Sequence, residues 1–131
     1  MSGTAQLSAA LREEGGLLAG ALRAERPSDE ALQAAVPAGS HALAFAAVRE
    51  AYLLHYDHGR VLDTDDADLA LLGGDRLYAL ALATLAALGD LDAIAALAEL
   101  IAACARAHAE GDVSGAAVAW ETVADVFARR A

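Results

Sequence analysis

The chain has no lysine, one cysteine, two prolines and few aromatic residues: two Phe, three Tyr and one Trp. Each scarcity excludes something. A single cysteine, Cys104, cannot close an internal disulfide, so the fold is not a disulfide framework. It lies among Ile101, Ala103 and Ala107 with no basic residue adjoining it at helical spacing, which reads as an inert core thiol rather than a nucleophile. All nine bases are arginine and only Arg129 and Arg130 adjoin one another, while 19 acids bring the formal net charge to -10. Nucleic acid and anionic membrane surfaces, which call for a basic patch, are therefore not the expected partners. Runs of alternating β-branched residues are missing, which leaves no strand candidate. The longest charge-free stretch, residues 31–48, is interrupted by Gln33, Pro37, Gly39, Ser40 and His41 and does not read as a spanning helix. The first residues lack the basic start and apolar core of a secretory leader, and Arg12-Glu13-Glu14 comes too early for one, so a cytoplasmic location is expected.

What is abundant is helix-forming: 37 Ala and 21 Leu in 131 residues. A first helix is expected over residues 7–25, starting near Ser8, weakened at Gly15-Gly16 and closed by Pro27. A short helical turn follows, capped by Ser28 and ended by Pro37. The segment from His41 to about His58 reads as the central helix, apolar on two faces: Phe45, Val48, Tyr52 and His55 on one side, Leu43, Ala47 and Leu54 on another. Gly59 ends it, and Asp63 or Thr64 is expected to cap a helix running to Leu88, with Asp65, Asp66 and Asp68 in its first turn. Gly73-Gly74 either bends that helix or admits a close neighbour. Asp90 caps residues 91–109, where Leu91, Ile94, Ala98, Ile101 and Ala105 form one apolar row and Leu97, Leu100 and Cys104 a second, with Asp92, Glu99, Arg106 and Glu110 on the wet face. Ser114 is expected to cap a last helix that docks through Trp120, Val123 and Phe127. The expectation is one all-α domain over residues 1–131, a bundle of five to six mostly antiparallel helices. Alanine permits close helix approach but supplies little volume, so a homodimer burying the spare apolar rows is expected.

Candidate ligands concentrate between residues 50 and 76: Glu50, His55, Asp57, His58, Asp63, Asp65, Asp66, Asp68 and Asp75. Oxygen-rich groups suit Mg²⁺, and His55, Asp57 and His58 add donors for Zn²⁺ or Fe²⁺. Asp65, Asp66 and Asp68 are accounted for by capping and the helix dipole. His55 fits a hydrogen-bonded core or interface role. Asp57, His58 and Asp75 are the candidate metal ligands, because acids inside apolar runs are costly to bury unless something satisfies them.

The run Leu53-Leu54-His55-Tyr56-Asp57, followed by Leu71-Leu72-Gly73-Gly74-Asp75-Arg76-Leu77-Tyr78, resembles the all-helical polyprenyl diphosphate synthases over about residues 50–112. Their central helix ends in a leucine-leucine-histidine-aspartate-aspartate run, and the next long helix opens on leucine-alanine-glycine-aspartate. The resemblance implies half of an isoprenoid-synthase-like fold. It departs where the chemistry lies: the first aspartate-rich motif is reduced to Asp57, no second one follows, and with no lysine the diphosphate clamp has no counterpart. A truncated relative is therefore implied, nearest to the small non-catalytic subunit of two-component heptaprenyl diphosphate synthases. Such a subunit would help a catalytic prenyl synthase partner shape an apolar tunnel. In this reading an alanine-lined groove beside Tyr52, Tyr56 and Tyr78 takes an isoprenoid tail. The alternatives are a metal-dependent enzyme acting on prenyl diphosphates through Asp57, His58 and Asp75, helped by His55 or Glu50, and a plain dimeric scaffold.

Overall fold

The computed structural model describes residues 2–24 and 39–130. The chain is all-α, with six helices among those residues: α1 (Gly3–Glu14), α2 (Gly16–Gly20), α3 (Ser40–Tyr56), α4 (Ala67–Leu88), α5 (Leu91–Glu110) and α6 (Val113–Ala128). The turn expected between Ser28 and Pro37, and the stop at Pro27, lie outside the described residues.

Several boundaries differ from expectation for reasons local to the backbone. The single first helix is two helices, because Gly15 and Gly16 both take positive φ, 75° and 79°, and reverse the chain where the amide of Gly15 closes on the carbonyl of Leu11. Its cap is Ser2, whose hydroxyl accepts the Ala5 amide at 3.1 Å, while Ser8 is buried mid-helix. Asp66 caps α4, accepting from Asp68 and Leu69, rather than Asp63 or Thr64. Asp112 caps α6, and Ser114 donates its hydroxyl to that carboxylate instead of capping. Along α5 the row that enters the core is the second one, Leu97, Leu100 and Cys104 with Ala93 and Ala107, whereas Leu91 is 74% exposed.

α3 is the axis of the fold. It buries Ala42, Ala44, Phe45, Ala46, Ala47, Val48, Ala51 and Leu54, more than any neighbour. α4 packs most extensively against it, α1 lies on another side through Leu7 and Leu11, and α5 and α6 form an antiparallel pair. Phe127 and Val123 of α6 reach the common core, as their stripe implies. α4 is long and apolar enough, by length and composition, to cross a membrane, with only 28% of that window buried. The charge-free stretch of residues 31–48, by contrast, contributes its second half to the core of α3.

The acid inside α3 is Glu50, 2% exposed. Its Oε1 accepts the amides of Arg60 (2.8 Å) and Val61 (3.1 Å), and its Oε2 accepts that of Leu62 (3.0 Å). These three donors offset much of the desolvation that burying a carboxylate entails. The chain bends around the carboxylate at Arg60 and Val61, and its next residues pair with the chain leaving α2. Leu22 and Leu62 form an isolated antiparallel bridge, with Arg23 N donating to Val61 O at 2.9 Å and Asp63 N to Ala21 O at 2.8 Å. The Arg23 guanidinium completes the joint by donating twice to the carbonyl of Gly59, at 2.9 and 3.2 Å.

A second polar joint attaches the α5–α6 pair. Asp90, at the start of α5, accepts from Arg130 at 2.7 and 3.1 Å, from the Ala93 amide at 3.0 Å, and meets His41 Nε2 of α3 at 2.8 Å. The Arg130 bonds first, then the Ala93 amide and His41, hold its carboxyl well below the usual carboxylate range.

Replacing Glu50 by Leu should destabilise the chain by about 3 kcal/mol or more in urea titration, because three buried donors lose their acceptor together. A change under about 1 kcal/mol would show that water replaces the carboxylate. Since the folded-state value of Asp90 is depressed, its contribution is complete above the unfolded carboxyl value near about pH 4 and fades as pH falls further. The Asp90→Asn variant should therefore be less stable than the parent at pH 7, with the difference shrinking as both are titrated in acid. A difference constant with pH would contradict the assignment.

Candidate functional site

One face of α3 carries a row of rings that binds the bundle together. Phe45 lies 5.4 Å from Phe127 and edge-on to Trp120 at 5.9 Å, and Tyr52 meets the same Trp120 edge-on at 5.3 Å. The Tyr52 hydroxyl bonds His108 Nε2 at 2.7 Å, and Tyr56 stacks on the His108 ring at 4.0 Å and 4°. Burial, with smaller contributions from Cys104, Tyr56 and Asp57, pushes the Tyr52 phenol up, so it keeps its proton beside the imidazole. The same effect, again led by burial, pushes Tyr78 up, and that ring stands perpendicular to His55 at 5.3 Å. Tyr52 and Tyr56 meet directly at 5.1 Å, and Tyr78 joins them through the His55 ring. The space beside them is filled by His55, His108 and Trp120.

His55 occupies the α3–α4 junction, its Nε2 3.2 Å from the Leu71 carbonyl and 3.3 Å from Asp75 Oδ1. This explains the paired glycines. α4 is continuous from Ala67 to Leu88, and a Cβ on Gly74 would run into the Cδ2–Nε2 edge of the His55 ring. Of the two roles open to the pair, close approach is the one used.

The candidate ligands are arranged differently from a metal centre. Asp57 ends α3 with its Oδ1 on the His58 amide at 2.9 Å, and both side chains are exposed. Asp75 is 70% exposed and leans on His55. The expectation that these acids are hard to hide is corrected: neither is hidden, because α3 ends at Tyr56 and the outer face of α4 is open to solvent. Among the described residues no three His, Cys, Asp or Glu side chains converge to hold an ion. Asp57, His58, Thr64, Asp65 and Asp66 instead line an open cleft of about 440 Å³ between the end of α3 and the start of α4. Asp66 there is engaged by the α4 cap, and Thr64 by the Asp66 amide. Glu50 faces away from any ligand role, holding the 60–62 loop. Cys104 is buried, which raises its thiol and keeps it unreactive.

Apolar lining is found in two other places. A groove of about 350 Å³ lies between α5 and α6, walled by Ala96, Leu100, Ala103, Val118, Ala119 and Val123. A second, of about 310 Å³, lies between α2 and α4, with Leu18, Leu69 and Leu72 on its walls. Sequence periodicity did not reveal either, since both arise from the offset between helices. His108, 56 residues from Tyr52, and Arg130, 40 residues from Asp90, were equally invisible.

No family model matches the chain, and no curated protein or solved structure matches it.

The Gly74→Ala substitution should destabilise by about 1 to 3 kcal/mol through overpacking on His55, although alanine favours an open helix by about 1 kcal/mol. In a His55→Ala background the same change should become neutral or stabilising. Equal effects in both backgrounds would contradict the contact.

Proposed function

We propose that this chain is a non-catalytic helical domain that docks a partner protein and accepts an isoprenoid-type apolar chain in the groove between α5 and α6. The observation that carries the reading is a division of labour between inside and surface. Several side chains able to do chemistry are engaged with internal partners: Glu50 with three amides, His41 with Asp90, His55 with Asp75, Tyr52 with His108. Large apolar side chains, by contrast, face outward, with Leu72 at 68%, Val113 at 71% and Val118 at 61% exposure. Exposed apolar area in this arrangement marks recognition surfaces. The α5–α6 groove, at about 350 Å³, falls at the small end of the roughly 300–1,000 Å³ range of ligand sites, and its lining is mainly Ala, Leu and Val, with Glu99, Gly115 and Thr122. Tyr52, Tyr56 and Tyr78 are not among the residues lining that groove. The resemblance to prenyl synthases names the kind of partner, a catalytic subunit that would supply the Mg²⁺ ligands and cationic clamp.

Farnesol at a hundred times its dissociation constant should stabilise the chain by about 2.7 kcal/mol, and Val118→Asp should abolish the effect. Prenyl diphosphates with Mg²⁺ should release no diphosphate. An unmoved melting temperature would contradict the ligand reading. Diphosphate release lost in Asp57→Asn would replace it with the enzyme reading, centred on the cleft beside Asp57 and His58.

A further inference from the structure

We propose that Gly15 and Gly16 form a hinge through which two copies of this chain exchange α1, the α1 of each copy lying on the α3 of the other. Such exchange is independent of whether the groove between α5 and α6 takes a ligand.

The backbone has two ways to continue at this point. In the closed chain both glycines take positive φ, 75° and 79°, and a Cβ added at either would meet nothing within 4 Å, so no neighbour is packed against the turn. α2 starts there without a side-chain cap, and among the described residues no backbone hydrogen bond joins its first amides to the last carbonyls of α1. The bond from the Gly15 amide to the Leu11 carbonyl, at 3.1 Å, already has the four-residue step of an α-helix. With both glycines at negative φ, the amides of Gly16, Leu17 and Leu18 would reach the carbonyls of Arg12, Glu13 and Glu14 by the same step. α1 and α2 then become one helix over residues 3–20, about 27 Å long. No proline stands in that span, and this is the unbroken first helix that the residue order suggests.

The fastenings of the chain divide at the same point. Downstream, Leu18 lies against Gly73 of α4, Asp63 and Arg23 carry the backbone bonds to Ala21 and Val61, and the Arg23 guanidinium holds the Gly59 carbonyl. Upstream, α1 is seated on α3 through Leu7 and Leu11, while its other two buried residues, Thr4 and Ser8, are polar. The Ser8 hydroxyl is buried with no hydrogen-bond partner among the described residues, which weakens that seat. Gln6 on the Gly39 carbonyl and Glu14 on Arg76 add exposed bonds that water can replace. With α2 held, straightening the hinge carries α1 off its own α3 and bares the surface near Ala42 and Ala46 on which Gly3 rests. The closed chain shows what covers that surface: it is α1, and a second copy supplies an identical one. Exchange keeps the α1–α3 contacts, so the balance rests on the hinge and on concentration.

Sedimentation velocity on the full chain, with far-ultraviolet circular dichroism to follow helix content, tests this. The parent should populate a dimer that forms and separates slowly, since one α1 must leave its seat before another enters. Gly15→Ala combined with Gly16→Ala should favour the dimer by roughly a hundredfold or more, because alanine resists positive φ at two positions in each copy and prefers the straight helix. Gly3→Leu, whose side chain would run into the Ala42 carbonyl, should abolish the dimer. Glu14→Arg chains and Arg76→Glu chains each bring like charges together when alone, and a mixture should pair across the two kinds, because exchange of α1 restores opposite charges at both contacts. A parent chain monomeric at every concentration, or a double-alanine variant with the monomer–dimer balance of the parent, overturns the hinge. A dimer that survives Gly3→Leu with its helix content intact overturns α1 as the exchanged element. So does a charge-reversed mixture that pairs no better than either chain alone, and that result decides the matter if Gly3→Leu fails to fold.

Discussion

A carboxylate can occupy the most buried helix of a small bundle only if donors are delivered to it, and in this chain the delivery shapes everything around it. Glu50 draws three successive amides of the α3–α4 connection onto its two oxygens. Backbone groups so engaged curve the chain around the carboxylate, and residues 61–63 pair with residues 21–23. The chain emerging from α2 is thereby tied to the base of α4. That tie sets where α4 begins, hence which residues of α4 face α3, and so why glycines stand opposite Leu54 and His55. Replacing the carboxylate by an apolar residue of similar size would improve the helix and lose the loop.

The same logic recurs at each end of α3. Asp90 gathers His41 and Arg130 at one end, and His55 meets Asp75 near the other, with Tyr52 and His108 between. The aromatic rings bridge the gap that the alanine-rich helices leave, for alanine brings backbones close but fills little space. Phe45, Tyr52, Trp120 and Phe127 supply the missing volume between α3 and α6. Glu50, Asp90, His55 and Tyr52 thereby serve the cohesion of the domain, while Leu72, Val113 and Val118 stay on its surface.

Much of this architecture is legible in the residue order. Three- and four-residue spacing located the α3, α4, α5 and α6 helices, and Gly89 and Gly111, both in the left-handed region, ended theirs as expected. The stripe Trp120, Val123 and Phe127 did face inward. Caps were less legible because several acids or hydroxyls compete at each start, and local hydrogen bonding chooses between Asp66 and Thr64, or Asp112 and Ser114. Both apolar rows of α5 were legible, but not their ranking: Leu97 is fully buried and Ile94 only partly so, which depends on how α5 packs against its neighbours. The candidate site was the least legible part. Asp57 and Asp75 looked isolated in apolar runs, yet one follows the last turn of its helix and the other lies on an open face. Glu50, read as a ligand candidate, proved to be an anchor, since its partners are backbone amides that no side-chain pattern records.

Native-state hydrogen exchange of the Arg60, Val61 and Leu62 amides measures the Glu50 anchor most directly. If the carboxylate holds the loop as described, all three amides exchange with protection close to that of the α3 core amides, despite lying in a connection between helices. Exchange at the rate of an unprotected loop would contradict the account, for then neither the pairing with residues 21–23 nor the register of α4 would depend on that buried acid.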